Sequence, residues 1–112
     1  MKPIIIQNSK IPKMLSIFIS IYAITLFPFI ISRDEMSETT IRHECIHIEQ
    51  QRELWVVGFY FLYVWYWLMG KISGLSNHDA YLNIPFEKEA YSKQYDEEYL
   101  KERKKHAWLD HA

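Results

Sequence analysis

The sequence is poor in residues on which several classes of protein depend. Its 112 residues include one cysteine and three glycines. A single thiol cannot form an intrachain disulfide, which excludes a disulfide-stabilised scaffold and agrees with a reducing compartment such as the cytoplasm. No glycine-rich phosphate-binding loop is present. The formal net charge is -1, and acids are interleaved with the lysines near the C-terminus, so we expect no nucleic-acid partner.

The length and the hydrophobic pattern predict one α+β domain over residues 1–112. Hydrophobic residues make up 49% of the chain, which is ample at a length where roughly 60–70% of the unfolded surface can be buried. Isoleucine and phenylalanine crowd residues 14–32 and favour strands, and Pro28 suits an edge strand. We therefore predict a short antiparallel sheet with paired strands near residues 14–22 and 24–31.

Helices are predicted to follow the sheet. Residues 54–70 carry no charge and many aromatic side chains, which predicts an aromatic-rich helix that packs in the core or lies in a membrane interface. Residues 71–85 are expected to form a loop or a short helical turn, and Pro85 favours the start of a C-terminal helix over 86–109. Three residues are candidate caps for an earlier helix: Ser37, Thr39 and Thr40.

That earlier helix carries a motif with a specific chemistry. The stretch from His43 to His47 reads H-E-C-I-H and matches H-E-x-x-H. Residues four apart lie on one helical face, where two imidazoles can hold a zinc ion at about 2.0–2.1 Å each. Zinc lowers the pKa of a bound water toward about 7. Glu44, the residue after the first histidine, can then act as general base.

A zinc site of this kind needs a third protein ligand. Glu87 and Glu89 are the candidates, and because they are two positions apart on one predicted helix they cannot both face the metal. With the stretch Glu87-Lys88-Glu89-Ala90, which reads E-x-x-A, the chain resembles the glutamate zincins. These include the HtpX-type membrane peptidases and the ImmA/IrrE-type peptidases.

The resemblance implies a small zincin-like domain that hydrolyses peptides or proteins with zinc as cofactor. It implies a peptide bound by strand addition at the edge strand near 24–31. The chain departs from the family at Tyr91, the residue after the E-x-x-A motif, where these proteins usually carry an Asp or Asn that supports a ligand histidine. The resemblance implies that the zinc ligands are His43, His47 and Glu87. It implies that Glu44 is the general base.

Other polar residues near these motifs have weaker indications of a role. His78 or Asp79 could support a metal ligand, and Tyr81 or Tyr91 could donate a hydrogen bond to an oxyanion. Cys45 lies inside the motif but outside its spacing, which indicates a small buried residue.

The alternative is a small membrane-associated or protein-interaction module without catalysis. Residues 14–31 and 54–70 are both near the length that spans a bilayer. If residues 54–70 crossed a membrane, His43 and Glu87 would lie on opposite sides and could not share a metal, whereas an anchor over 14–31 would leave the site intact. Two histidines and one carboxylate can also hold iron, but the adjacent Glu44 favours hydrolysis.

Overall fold

The computed structural model describes residues 3–7, 23–32 and 35–112, and within these ranges helices follow a small β-sheet. The described strands are β1 (Ile4–Ile6), β2 (Ala23–Leu26) and β3 (Phe29–Ser32), in the spatial order β1-β3-β2. Strand β1 runs parallel to β3, whereas β2 runs antiparallel to it. The α+β class predicted from the sequence is therefore confirmed.

Two predictions about the sheet are wrong. The sheet is not purely antiparallel, because β1 pairs in parallel with β3. A single strand over 24–31 is also wrong, since Phe27 and Pro28 form a turn between two shorter strands. Proline has no N–H to give to a strand ladder, so it suits this turn better than the middle of a strand. The predicted strand over 14–22 lies outside the described residues.

Helix α1 (Glu38–Glu53) carries the H-E-x-x-H motif. Of the three candidate caps, Ser37 is the N-cap: its hydroxyl oxygen accepts the backbone N–H of Thr40 at 3.1 Å. Glu38 lies in the first turn, where its negative charge interacts favourably with the helix dipole. Four of the six buried residues of α1 are polar, which is unusual for a face that packs against the rest of the protein. The buried residues are His43, Ile46, His47, Ile48, Gln50 and Gln51.

Helix α2 (Val57–Ile72) contains the aromatic-rich run. One of its faces contributes Phe59 to a core cluster that also contains Ile84, Phe86 and Trp108. The other face is apolar and exposed, so the predicted core role holds for only part of the helix. In the part of the chain that the structure describes, no helix has both the length and the apolar character to cross a membrane. The exposed face consists of Val57, Phe61, Val64, Trp65, Leu68, Met69 and Ile72.

The C-terminal region differs from the single helix predicted over 86–109. Helix α3 (Asn77–Leu82) is the short helical turn expected within 71–85, and α4 (Pro85–Lys93) begins at the proline. Beyond α4 the chain forms α5 (Tyr99–Glu102) and a 3₁₀ helix (Ala107–His111). A straight helix over 86–109 would extend about 36 Å. The breaks instead let the chain fold back, so that later side chains pack against α1 and α4.

Candidate metal centre

Two helices bring three predicted residues to one point. Helix α1 presents His43 and His47 on one face, and α4 presents Glu87 in its first turn. The Nε2 atoms of the histidines lie 3.2 Å apart. Oε1 of Glu87 lies 3.1 Å from Nε2 of His43 and 2.9 Å from Nε2 of His47. All three side chains are buried, and together they form a group that could hold a metal ion.

The packing of α4 explains why Glu87 faces α1. Its neighbour Phe86 is fully buried in the aromatic core, where its ring contacts those of Phe59 and Trp108 at 4.6 and 4.8 Å between centroids. This contact fixes the rotation of the first turn of α4. The following side chain then points toward the two histidines.

The spacing of the three atoms suits a zinc ion. Tetrahedral zinc with bonds of about 2.0–2.1 Å separates its ligand atoms by roughly 3.3–3.4 Å. The observed separations are 2.9, 3.1 and 3.2 Å, so the side chains would open by only a few tenths of an ångström. Two imidazoles and one carboxylate are also a ligand set that zinc uses in catalytic sites.

The second ring nitrogen of each histidine faces the side-chain oxygen of a glutamine. Nδ1 of His47 lies 2.7 Å from Oε1 of Gln50, and Nδ1 of His43 lies 2.8 Å from Oε1 of Gln94. An amide oxygen only accepts hydrogen bonds, so it favours a hydrogen on Nδ1 and leaves Nε2 as the nitrogen that can bind a metal once its own proton is lost. Partners of this kind orient histidine ligands in metal sites.

The residue after the E-x-x-A motif does not support a histidine in the way that the zincin pattern predicts. Tyr91 makes no such hydrogen bond; its ring instead packs edge-on against His43, with 4.4 Å between centroids. Gln94, at the end of α4, supplies the hydrogen-bond partner of that histidine.

The electrostatics of the metal-free centre favour an ion pair between His47 and Glu87. Burial alone would raise the pKa of Glu87, but His47 and hydrogen bonds from His43 and Tyr63 hold it well below its usual range. Burial alone would lower the pKa of His47, but the charge of Glu87 raises it to about 9. At neutral pH a proton therefore lies between His47 and Glu87, where a metal ion would bind.

Tyr63 is a partner of the centre that no sequence pattern indicated. Its hydroxyl donates a 2.6 Å hydrogen bond to Oε2 of Glu87, the oxygen that does not face the histidines. Burial and the charge of Glu87 raise the pKa of Tyr63, so the phenol remains a donor. Because this residue lies on α2, three helices contribute to the centre.

The charge of Glu44 influences two tyrosines, Tyr81 and Tyr91. Glu44 is half-buried, and its charge contributes, after burial and Glu87, to the raised pKa of Tyr81 and of Tyr91. The hydroxyls of these tyrosines lie 2.8 Å apart. The charges of Glu44 and Glu87 thus act on the same two phenols.

The other candidates lie apart from the metal-binding group. Glu89 is fully buried but pairs with Arg103, so the structure separates it from Glu87. His78 is exposed and stacks near Tyr81 at 6.3 Å between ring centroids. Cys45 is only half-buried, and burial raises its pKa to about 11.

Comparisons with known proteins identify no relative of this chain. No family model matches the chain, and no curated protein or solved structure matches it. The similarity to the glutamate zincins therefore rests on two short motifs, and the zincin fold and peptidase activity that it implies stay predictions.

Three partners of the centre were missed by reasoning from sequence: Tyr63, Gln50 and Gln94. Gln50 follows His47 by three positions, so helical periodicity placed it on the face of the histidines but did not indicate its hydrogen bond to His47. Tyr63 and Gln94 reach the centre from other elements, and no pattern in the sequence marks them.

Proposed function

We propose that this chain is a zinc-dependent metallohydrolase that cleaves peptide bonds. The observation that carries the proposal is the convergence of His43, His47 and Glu87 through atoms no more than 3.2 Å apart. These residues come from two helices, and their positions match the H-E-x-x-H and E-x-x-A motifs. The assignment of peptides as substrates follows from the resemblance to zincins.

The residues of this chain have separate tasks in the proposed reaction. A bound zinc ion would supply Lewis acidity to a scissile carbonyl and to the attacking water. Glu44 would accept a proton from that water and return it to the leaving amine. Tyr81 or Tyr91 would donate a hydrogen bond to the developing oxyanion. Burial and nearby carboxylates raise the pKa of both phenols, so both keep their protons at neutral pH.

The alternative of a module without catalysis has less support. Its membrane form needs residues 54–70 to cross a bilayer, which would separate His43 from Glu87. Instead, these residues lie 3.1 Å apart through Nε2 and Oε1. The exposed face of α2 is compatible with an interaction partner, but it does not explain a buried group of metal-ligand residues.

The first test is the zinc content of purified protein, with the neighbouring glutamates as a matched pair. The wild type should bind about one zinc per chain, and His47→Ala and Glu87→Gln should lose it. Glu89→Gln should keep about one zinc at saturation, because this side chain faces Arg103 and Gln50 rather than the centre. A wild type that binds no zinc would contradict the proposal.

The second test separates a catalytic site from an inactive one. Glu44→Gln should retain zinc and lose roughly 10²- to 10⁴-fold in peptide hydrolysis, measured by mass spectrometry of new termini in an unfolded protein substrate. Glu49→Gln, on the same helix and half-buried, should keep the wild-type rate. Equal rates in the two variants would show that Glu44 is not the general base.

A further inference from the structure

Gln50 is a fully buried amide that uses both ends of its side chain. Its Oε1 lies 2.7 Å from Nδ1 of His47. Its Nε2 donates to the backbone oxygen of Phe86 at 3.1 Å and to Oε1 of Glu89 at 3.0 Å. Buried polar groups are normally hydrogen-bonded, and losing one of these partners would be costly.

The two partners of Nε2 determine which way the amide points. A backbone carbonyl can only accept hydrogen bonds, and a carboxylate paired with a guanidinium also acts as an acceptor. Glu89 is such a carboxylate, because Arg103 Nη2 lies 3.0 Å from its Oε1 and Tyr99 donates to its Oε2 at 2.7 Å. A flipped amide would place its oxygen against two acceptors. The NH₂ group must therefore face them, which leaves Oε1 toward His47.

We infer that Gln50 is a positioning residue of the metal centre, which holds His47 with its hydrogen on Nδ1 and its Nε2 lone pair toward the metal. Because Gln50 Oε1 can only accept, Nδ1 must donate. Nε2 is then the nitrogen free to bind a metal, and it is the atom that faces His43 and Glu87. This inference rests on the proposed zinc function and adds a residue that determines the affinity of the centre for zinc.

Arg103, which follows α5, holds Glu89, the carboxylate that accepts from Gln50. Arg103 pairs with Glu89 on α4 and, through Nη2, with Oε1 of Glu53 at 3.0 Å. The second oxygen of Glu53 accepts the backbone N–H of His106 at 2.6 Å. The three charged side chains are nearly inaccessible to solvent, so removing one of them would leave a buried charge without its partner. The chain after α5 is thereby joined to the partner of Gln50.

The matched control for Gln50 is its neighbour Gln51. Both glutamines lie on α1 and are fully buried, but Gln51 accepts the backbone N–H of Phe27 at 2.9 Å and also hydrogen-bonds to Tyr60. Gln50→Met should raise the zinc dissociation constant by about 10- to 100-fold, the effect typical of lost ligand-orienting partners. Gln51→Met should change it by less than about threefold, although both variants remove the hydrogen bonds of a fully buried amide.

A second measurement needs no substitution. In zinc-loaded wild type with ¹⁵N-labelled histidine, long-range ¹H–¹⁵N NMR should show His47 with a hydrogen on Nδ1 and zinc on Nε2. Zinc on Nδ1, or equal dissociation constants for Gln50→Met and wild type, would overturn the inference while leaving the zinc site intact. A wild type that binds no zinc would instead overturn the proposed function, and this inference with it.

Discussion

The hydroxyl of Tyr63 donates a 2.6 Å hydrogen bond to Oε2 of Glu87, whose other oxygen faces both histidines. One carboxylate therefore contacts the two histidines through one oxygen and helix α2 through the other. This bond ties the aromatic-rich helix to the chemistry of the centre. It also limits how Glu87 can turn.

Tyr63→Phe should weaken zinc binding by about tenfold. The variant keeps the ring, which stacks with Phe86 at 6.4 Å between centroids, but leaves Oε2 without its donor. The control is Tyr66→Phe, because Tyr66 lies almost one turn along α2 and its hydroxyl makes no hydrogen bond within the described residues. Zinc competition titrations check this, and equal affinities in the two variants would contradict it.

The zinc affinity should rise with pH by about tenfold per unit up to about pH 9. Burial alone would lower the pKa of His47, but Glu87 raises it to about 9. The ion pair thus stabilises the metal-free protein below about pH 6.5, and this contribution is lost as pH rises through about 9. Zinc must displace that proton, so its affinity increases as the proton leaves. Dissociation constants at three pH values test this, and a flat profile would refute it.

Arg103→Met should lower the free energy of unfolding by about 3–5 kcal/mol, because it leaves Glu53 and Glu89 buried without their cation. Lys101→Met is the control, since that lysine pairs with Glu98 in solvent, where ion pairs contribute about 0–1 kcal/mol. Urea unfolding of both variants measures the difference. Similar losses in the two would mean that the buried pairing contributes little.

The glycines of α2 should respond oppositely to alanine. A Cβ at Gly58 would meet Leu54 Cβ at an ordinary 3.5 Å, so Gly58→Ala should stabilise the fold by about 0.4–1 kcal/mol. At Gly70 a Cβ would lie 3.0 Å from the Cβ and 3.1 Å from the Cα of Ala80. Gly70→Ala should destabilise the fold by about 1 kcal/mol, because α3 must move away. Thermal unfolding checks both signs, and a stabilising Gly70→Ala would disprove the close packing of α2 and α3.

Local patterns in the sequence predicted helix α1. Ser37 was among the residues predicted to cap it, and the spacing of His43 and His47 required both side chains to lie on one face of any helix that formed there. These features depend on residues at most four positions apart. The short α3 within 71–85 and the proline start of α4 were predictable for the same reason.

Pairing and packing between distant residues could not be predicted in this way. The parallel position of β1 beside β3 and the hairpin turn at Pro28 depend on which strands meet, not on the hydrophobic pattern of either. The break of the predicted C-terminal helix depends on Arg103 and Trp108 finding buried partners on α1 and α4. A helical pattern contains no information about those partners.

The choice between Glu87 and Glu89 shows most clearly what the sequence determined and what required the tertiary structure. The sequence by itself determined that only one of the two could face the histidines, because residues two apart point to different sides of a helix. Only the tertiary structure decided which one, because the burial of Phe86 in the aromatic core sets the rotation of α4. That rotation turns Glu87 toward the histidines and Glu89 toward Arg103, 14 residues further along the chain. It depends on how two helices pack against a shared core, and contacts over that distance leave no local periodicity in the sequence.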